Sequence, residues 1–143
     1  MFSTSSPTYP ASVRLVASAI AKGTFKILAN VDARSVLPEN VKMADAVSNI
    51  SHSVALIKAL ELGNMELLKQ ANIDKLHQDY RFPLINDSAY FIDYAKNNPA
   101  TCMISGAGPT ILLISKESLN ISYKDWKIIE QKVNNKGAYI YER

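Results

Sequence analysis

The sequence predicts an α+β domain of the ferredoxin-like, split β-α-β kind, with helices packed on one face of an antiparallel sheet. Three observations carry this expectation. Met43, Val47, Ile50, Val54, Ile57 and Leu60 recur every three or four residues, the pattern of one long amphipathic helix. Two short apolar runs, residues 101–104 and 111–114, flank Ser105-Gly106-Ala107-Gly108-Pro109, which reads as two strands joined by a tight connection. Strand-like segments at 24–31 and 138–141 bracket the helical stretches, completing the order strand, helices, strand, strand, helix, strand.

Taken in order, residues 1–23 read as an atypical start or remnant, and residues 24–143 as the domain proper. The first ten residues are rich in Ser, Thr and Pro, as a loose end would be, and residues 11–21 are expected to form a short helix carrying Val13, Leu15, Val16 and Ile20. No acidic residue precedes Asp32, but Arg14 is the only arginine before Arg34, which disfavours a transit peptide; a signal peptide would need a charged lead that is missing. The strand at 24–31 would place Phe25, Ile27 and Ala29 on one face. Pro38 bars a helix from running through the next segment.

The long helix is expected over 41–62 with Gly63 as its C-cap, and Asn49 and His52 lie off the centre of its apolar stripe. A short helix over 64–71 follows, N-capped by Asn64 with Glu66 in its first turn. Pro83 is expected to stop any helix in the polar and aromatic stretch 74–85. A further helix over 88–96 would be N-capped by Asp87 and turn Ala89, Phe91, Ile92 and Ala95 inward. After the glycine hairpin, residues 122–134 read as a last helix with Trp126, Ile129 and Val133 inward, ended by Gly137.

Composition narrows the function. The 143 residues are enough for one domain with a core, and 48% hydrophobic with 20% charged residues is ordinary for a globular protein. A net charge of +3 without any Lys/Arg run argues against nucleic acid, and no apolar run reaches membrane-spanning length. The lone Cys102 excludes a disulfide framework within the chain, and His52 and His77 lie outside any cluster with metal-ligand spacing. A reducing, cytoplasmic setting is the expectation that follows.

Three segments carry a resemblance. Ala33-Arg34-Ser35-Val36-Leu37-Pro38 is similar to A-R-x-x-L-P, Leu76-His77-Gln78-Asp79-Tyr80-Arg81 to L-H-Q-x-Y-R, and Ser105-Gly106-Ala107-Gly108-Pro109-Thr110 to the third motif of the GHMP kinases. In this order they resemble the C-terminal half of homoserine kinase, a member of that family, from about Phe25 onward. The family's N-terminal proline-rich motif and its phosphate-wrapping glycine/serine loop have no counterpart here. A phosphate cradle needs a run of backbone amides at a helix N-terminus, and none of the five glycines opens a helix in such a setting.

The resemblance implies a C-terminal portion that contributes homoserine binding to ATP-dependent phosphorylation of L-homoserine to O-phospho-L-homoserine, a step toward threonine. ATP and Mg2+ would belong to the intact enzyme, and this chain alone would bind neither and be inactive. Arg34 and Arg81 are the implied holders of the substrate carboxylate, which a guanidinium can grip through two parallel hydrogen bonds. Asn49, His77 and Gln78 are supporting candidates. The loop of Ser105, Gly106, Ala107, Gly108 and Pro109 would shape the active-site floor against the missing half, supplying neither nucleophile nor base. No metal ligands are expected in this chain. Its expected partners are L-homoserine, the missing N-terminal kinase half and a second copy in a homodimer.

Two readings from other classes compete. One is a non-catalytic, amino-acid-binding regulatory domain on the same fold. The other is a nucleic-acid-binding module, which would have to stack bases on Tyr139 and Tyr141.

Overall fold

A computed structural model describes the backbone of Arg14–Ala21 and residues 33–133. The elements are β1 (Arg14–Ala21), α1 (Met43–Leu62), α2 (Met65–Ala71), α3 (Gln78–Arg81), a 3-10 turn (Phe82–Leu84), α4 (Ser88–Asn97), β2 (Ala100–Ile104), β3 (Ile111–Ser115), β4 (Trp126–Lys127) and β5 (Glu130–Lys132). The strands build one antiparallel sheet in the order β2-β3-β1-β4, with β5 also pairing β1. This is the α+β class expected. The expected strands at 24–31 and 138–141, Gly137, and the tyrosines Tyr139 and Tyr141 lie outside the described residues.

Two expectations about local structure are corrected. Residues 14–21 are a strand and not part of a short helix: β3 pairs them on one side and β4 and β5 on the other, with a bulge between Val16 and Ser18. An eight-residue segment has too few internal hydrogen bonds to hold a helix against two ladders. Nor do residues 122–133, the described part of the expected last helix, form one. Asp125 takes a left-handed φ of 63°, which ends any helix there, and the chain then supplies β4 and β5 to the second edge of β1. Trp126 is buried as expected, its ring 4.4 Å from that of Phe91.

The core lies on both sides of the β2–β3 hairpin. Ile104, Ile111 and Leu113 pack with Ile85, Phe91, Ala95 and Trp126, the layer of α4. Ile114 packs instead with Ala59 of α1 and Leu68 of α2, supported by Met103 and Leu112. Successive side chains of a strand point to opposite faces, so the helical layer expected on one face also reaches the other here.

Helix caps follow local rules closely. Gly63 ends α1 with φ 59°, and its N–H and that of Asn64 bond back to Leu60 and Ala59. Asn64 Oδ1 accepts from Leu67 N–H at 3.0 Å and starts α2. Pro83 sits inside the 3-10 turn, after which the chain becomes extended at Ile85. Asp87 precedes α4 as expected, but it adopts φ 59° and its side chain makes no cap bond. Ala89, expected inward, is exposed; Ser88 is buried in its place, its hydroxyl donating to the Phe82 carbonyl at 2.8 Å.

The expected long helix is present as α1, and most of its apolar stripe is exposed. Of its apolar stripe only Leu60 packs against the core; Met43, Val47, Ile50, Val54 and Ile57 are 54–79% exposed. The helix docks through Leu56, Ala59 and Leu60 near its C-terminal end, where the small Ala59 lets α2 and Leu68 approach. A periodic stripe says that one face seeks apolar contact, not which surface covers it.

Candidate functional site

The site grows from the turn between α2 and α3. Asp74 Oδ1 accepts from the N–H groups of Leu76 (2.7 Å) and His77 (3.0 Å), which bends the chain into α3. Asp74 Oδ2 lies 2.7 Å from His77 Nε2. Asn49, on α1, fixes this turn from the other side: its Oδ1 accepts from Lys75 N–H at 2.8 Å.

Gln78 then reaches the outer edge of the sheet. Its Oε1 accepts from Ile104 N–H at 2.8 Å, and two residues back along β2 the Asn72 amide donates to the Cys102 carbonyl at 2.7 Å. Two side-chain amides thus satisfy the open edge of β2, which would otherwise present unpaired backbone groups. Gln78→Ala strips the partner from the Ile104 N–H, and a destabilisation of about 1–3 kcal/mol is expected in denaturant unfolding. Gln78→Glu keeps an acceptor oxygen and should lose less than half as much.

One turn further along α3, Arg81 Nε donates to the Ala33 carbonyl at 3.1 Å, and the Arg34 carbonyl accepts from Leu37 N–H at 3.1 Å to close the 33–37 turn. Arg34 itself is exposed. Ile85, just past the 3-10 turn, stands against Gly108: a Cβ at Gly108 would lie 3.0 Å from Ile85 Cδ1. The 76–81 segment therefore touches the 33–38 segment directly, and the residues that follow it reach the glycine loop through Ile85.

Asn49, His77 and Gln78 line one cavity of about 220 Å3, floored by Met103 and Ile104 of β2. Within it His77 Nδ1 is buried and has no hydrogen-bond partner among the described residues. Arg34 and Arg81 are not among the residues lining this cavity; Arg81 bonds the carbonyl of Ala33, the residue before Arg34. His52 bonds within its own helix, Nδ1 to the Ser48 carbonyl at 2.7 Å. Asn72 and Asp74 were not foreseen. Asp74 three residues before His77 is a recognisable turn signal, whereas nothing local marks Asn72.

The glycine loop closes on itself. Ser105 N–H bonds the Thr110 carbonyl at 2.9 Å and Gly108 N–H the Ser105 carbonyl at 3.2 Å, with φ of 64° at Gly106 and 86° at Gly108. Its apex, residues 105–107, is exposed. These two amides are committed inside the turn, unlike those of a phosphate cradle. Among the described residues no group of three His, Cys, Asp or Glu could hold a metal ion, and no helix is long and apolar enough to cross a membrane.

No family model matches the chain. It is 45% identical over 91 residues to the homoserine kinase of Prochlorococcus marinus strain MIT 9215, covering 63% of this chain and 29% of that protein. It is 36% identical over 129 residues to the homoserine kinase of Clostridium botulinum strain Kyoto, covering 81% of this chain and 43% of that protein. The chain matches the C-terminal portion of homoserine kinases. The crystal structure of homoserine kinase from Cytophaga hutchinsonii superposes with a TM-score of 0.69 at 21% identity, over 88% of this chain and 43% of that one, which shows the shared fold. The chain thus spans 29–43% of the length of these relatives.

Proposed function

We propose that this chain is the acceptor-binding half of a homoserine kinase, in which L-homoserine receives the ATP γ-phosphate on its side-chain hydroxyl, a step toward threonine. The observation that supports it best is that α3 bonds the 33–38 segment through Arg81–Ala33 and the end of β2 through Gln78–Ile104, while Ile85, just beyond it, stands against Gly108 of the 105–110 loop. Arg81 and Arg34 hold the substrate carboxylate. One of the five guanidinium donors of Arg81 is used on Ala33, and the remaining four suit a carboxylate. His77, Asn49 and Gln78 keep the surrounding turn and strand in place. Orientation of this kind can account for several kcal/mol of a phosphoryl-transfer barrier.

In this reading the chain holds neither ATP nor Mg2+: the Ser105 and Gly108 amides are bonded inside the loop, and no group of three His, Cys, Asp or Glu that could hold a metal ion is present among the described residues. Both belong to the N-terminal half, which is proposed to cover the exposed stripe of α1. The isolated chain would self-associate through the same stripe. A cytoplasmic location follows from this role.

The test is a chimaera in which this chain replaces the matching C-terminal portion of the Prochlorococcus marinus enzyme, assayed for ADP release. Arg81→Ala and Arg34→Ala should each raise KM for homoserine about tenfold or more, with a smaller fall in kcat, because ground-state and transition-state binding are lost together. An unchanged KM in both variants removes the arginines from the site. Homoserine binding by the chimaera without any turnover would favour the regulatory amino-acid-binding alternative.

A further inference from the structure

Arg81 closes α3, a helix of only four residues. A helix that short has too few internal hydrogen bonds to hold its own direction, so its ends must be tied to something else. At its start the Asp74 carboxylate fastens the preceding turn, accepting from the N–H groups of Leu76 and His77, and Gln78 is bonded to Ile104 of β2. At its end the next residue is Phe82. The Phe82 carbonyl accepts from Ile85 N–H at 3.0 Å and from the Ser88 hydroxyl at 2.8 Å.

The two bonds differ in what they fasten. Ile85 lies at the end of the same 3-10 turn, so its bond shapes the turn without placing it. Ser88 opens α4, whose Phe91 and Ala95 are buried in the core, and Ser88 is itself only 8% exposed. Its N–H bonds back to the Ile85 carbonyl at 3.2 Å. The Phe82 ring also packs against the core, but apolar contact has no direction. The hydroxyl bond does, and it fixes how the Phe82 carbonyl faces.

We propose that Ser88 is a positioning residue for Arg81. Through the Phe82 carbonyl it ties the end of α3 to the packed face of α4, and so sets where the Arg81 guanidinium, bonded to the Ala33 carbonyl at 3.1 Å, stands. This role rests on Arg81 holding the homoserine carboxylate. Ser88 touches no substrate and acts only through its hold on the residue after Arg81. A group displaced by about 1 Å can cost on the order of a hundredfold in rate, so a single bond at this distance from the chemistry is enough to matter.

Ser88→Ala removes the donor and puts nothing in its place. In the chimaera it should raise KM for homoserine about fivefold with KM for ATP unchanged, and in an Arg81→Ala background it should add less than about twofold, because both changes act through one guanidinium. Ala95→Gly, which loosens the same helix away from Phe82, is the control and should lower Tm comparably while leaving KM for homoserine unchanged. In the isotope-labelled isolated chain, Ser88→Ala should shift or broaden the Arg81 Nε–H resonance, and Ala95→Gly should not. If Arg81→Ala leaves KM unchanged, the role of the arginine falls and that of Ser88 with it. If Arg81→Ala raises KM, the assignment of Ser88 alone is overturned by an unchanged KM in Ser88→Ala, an equal rise in Ala95→Gly, full additivity with Arg81→Ala, or an undisturbed Arg81 resonance.

Discussion

Ile50→Asp/Val54→Asp is expected to leave the isolated chain folded with its stability changed by less than about 1 kcal/mol, and to reduce the activity of the chimaera at least about a hundredfold. The two side chains are 66% and 64% exposed here, so no core contact is lost with them. Aspartate is only a slightly weaker helix former than valine or isoleucine. In a protein where this stripe meets the other half of the kinase, the same aspartates must shed water or be protonated, at a cost of several kcal/mol. The stripe Met43, Val47, Ile50, Val54 and Ile57 is too long and continuous to be ordinary scattered surface hydrophobicity. Sedimentation of the isolated chain gives the companion result: self-association at high concentration that the double variant abolishes. If the chimaera keeps full activity with both aspartates, the stripe does not face the other half.

Gly108→Ala should destabilise the chain by about 2–4 kcal/mol, the sum of left-handed backbone strain and overpacking. Gly108 has φ 86°, beyond the narrow left-handed well open to other residues, and an added Cβ meets Ile85 Cδ1 at 3.0 Å and Ile104 Cγ2 at 3.6 Å. Ile85 is 3% exposed and has little room to move. Gly106 is the control. Its φ is 64° and a Cβ there meets nothing within 4 Å, so Gly106→Ala should cost only about 1–2 kcal/mol. Gly106→Asn should be milder still, since Asn tolerates this conformation. Adding Ile85→Val to Gly108→Ala removes the clashing methyl, and the pair should cost less than the sum of the two singles. Chemical denaturation of the five variants measures all of this, and equal losses for the two alanines would refute the close packing at Gly108. Because both glycines have positive φ, Gly106→Asn is the better probe of whether the loop apex also meets another surface in the chimaera.

Local chemistry was readable in the sequence, and long-range partners were not. The ends of α1 and α2 follow from Gly63 and Asn64, residues whose backbone and side-chain preferences act within one turn. The β2–β3 hairpin follows from two apolar runs around a glycine pair. By contrast, Trp126, Ile129 and Val133 have helical spacing, but the chain there completes β1 from a position more than a hundred residues away in sequence. The stripe of α1 was visible as a stripe, but spacing alone did not say that most of it would stand exposed. At the candidate site, Asn49, His77 and Gln78 do converge on one cavity, whereas Asn72 enters only because the edge of β2 needs a donor. Arg81 is tied to the 33–38 segment through the backbone carbonyl of Ala33, a contact no spacing rule encodes.

The most direct measurement is turnover by the chimaera with ATP, magnesium and L-homoserine, beside the same assay on this chain alone. The account predicts O-phosphohomoserine formation by the chimaera at about 1 s⁻¹ or faster, within the usual enzyme range, and none by the chain alone. A folded, ATP-binding chimaera that phosphorylates no homoserine, or turnover at that rate by the isolated chain, would contradict it.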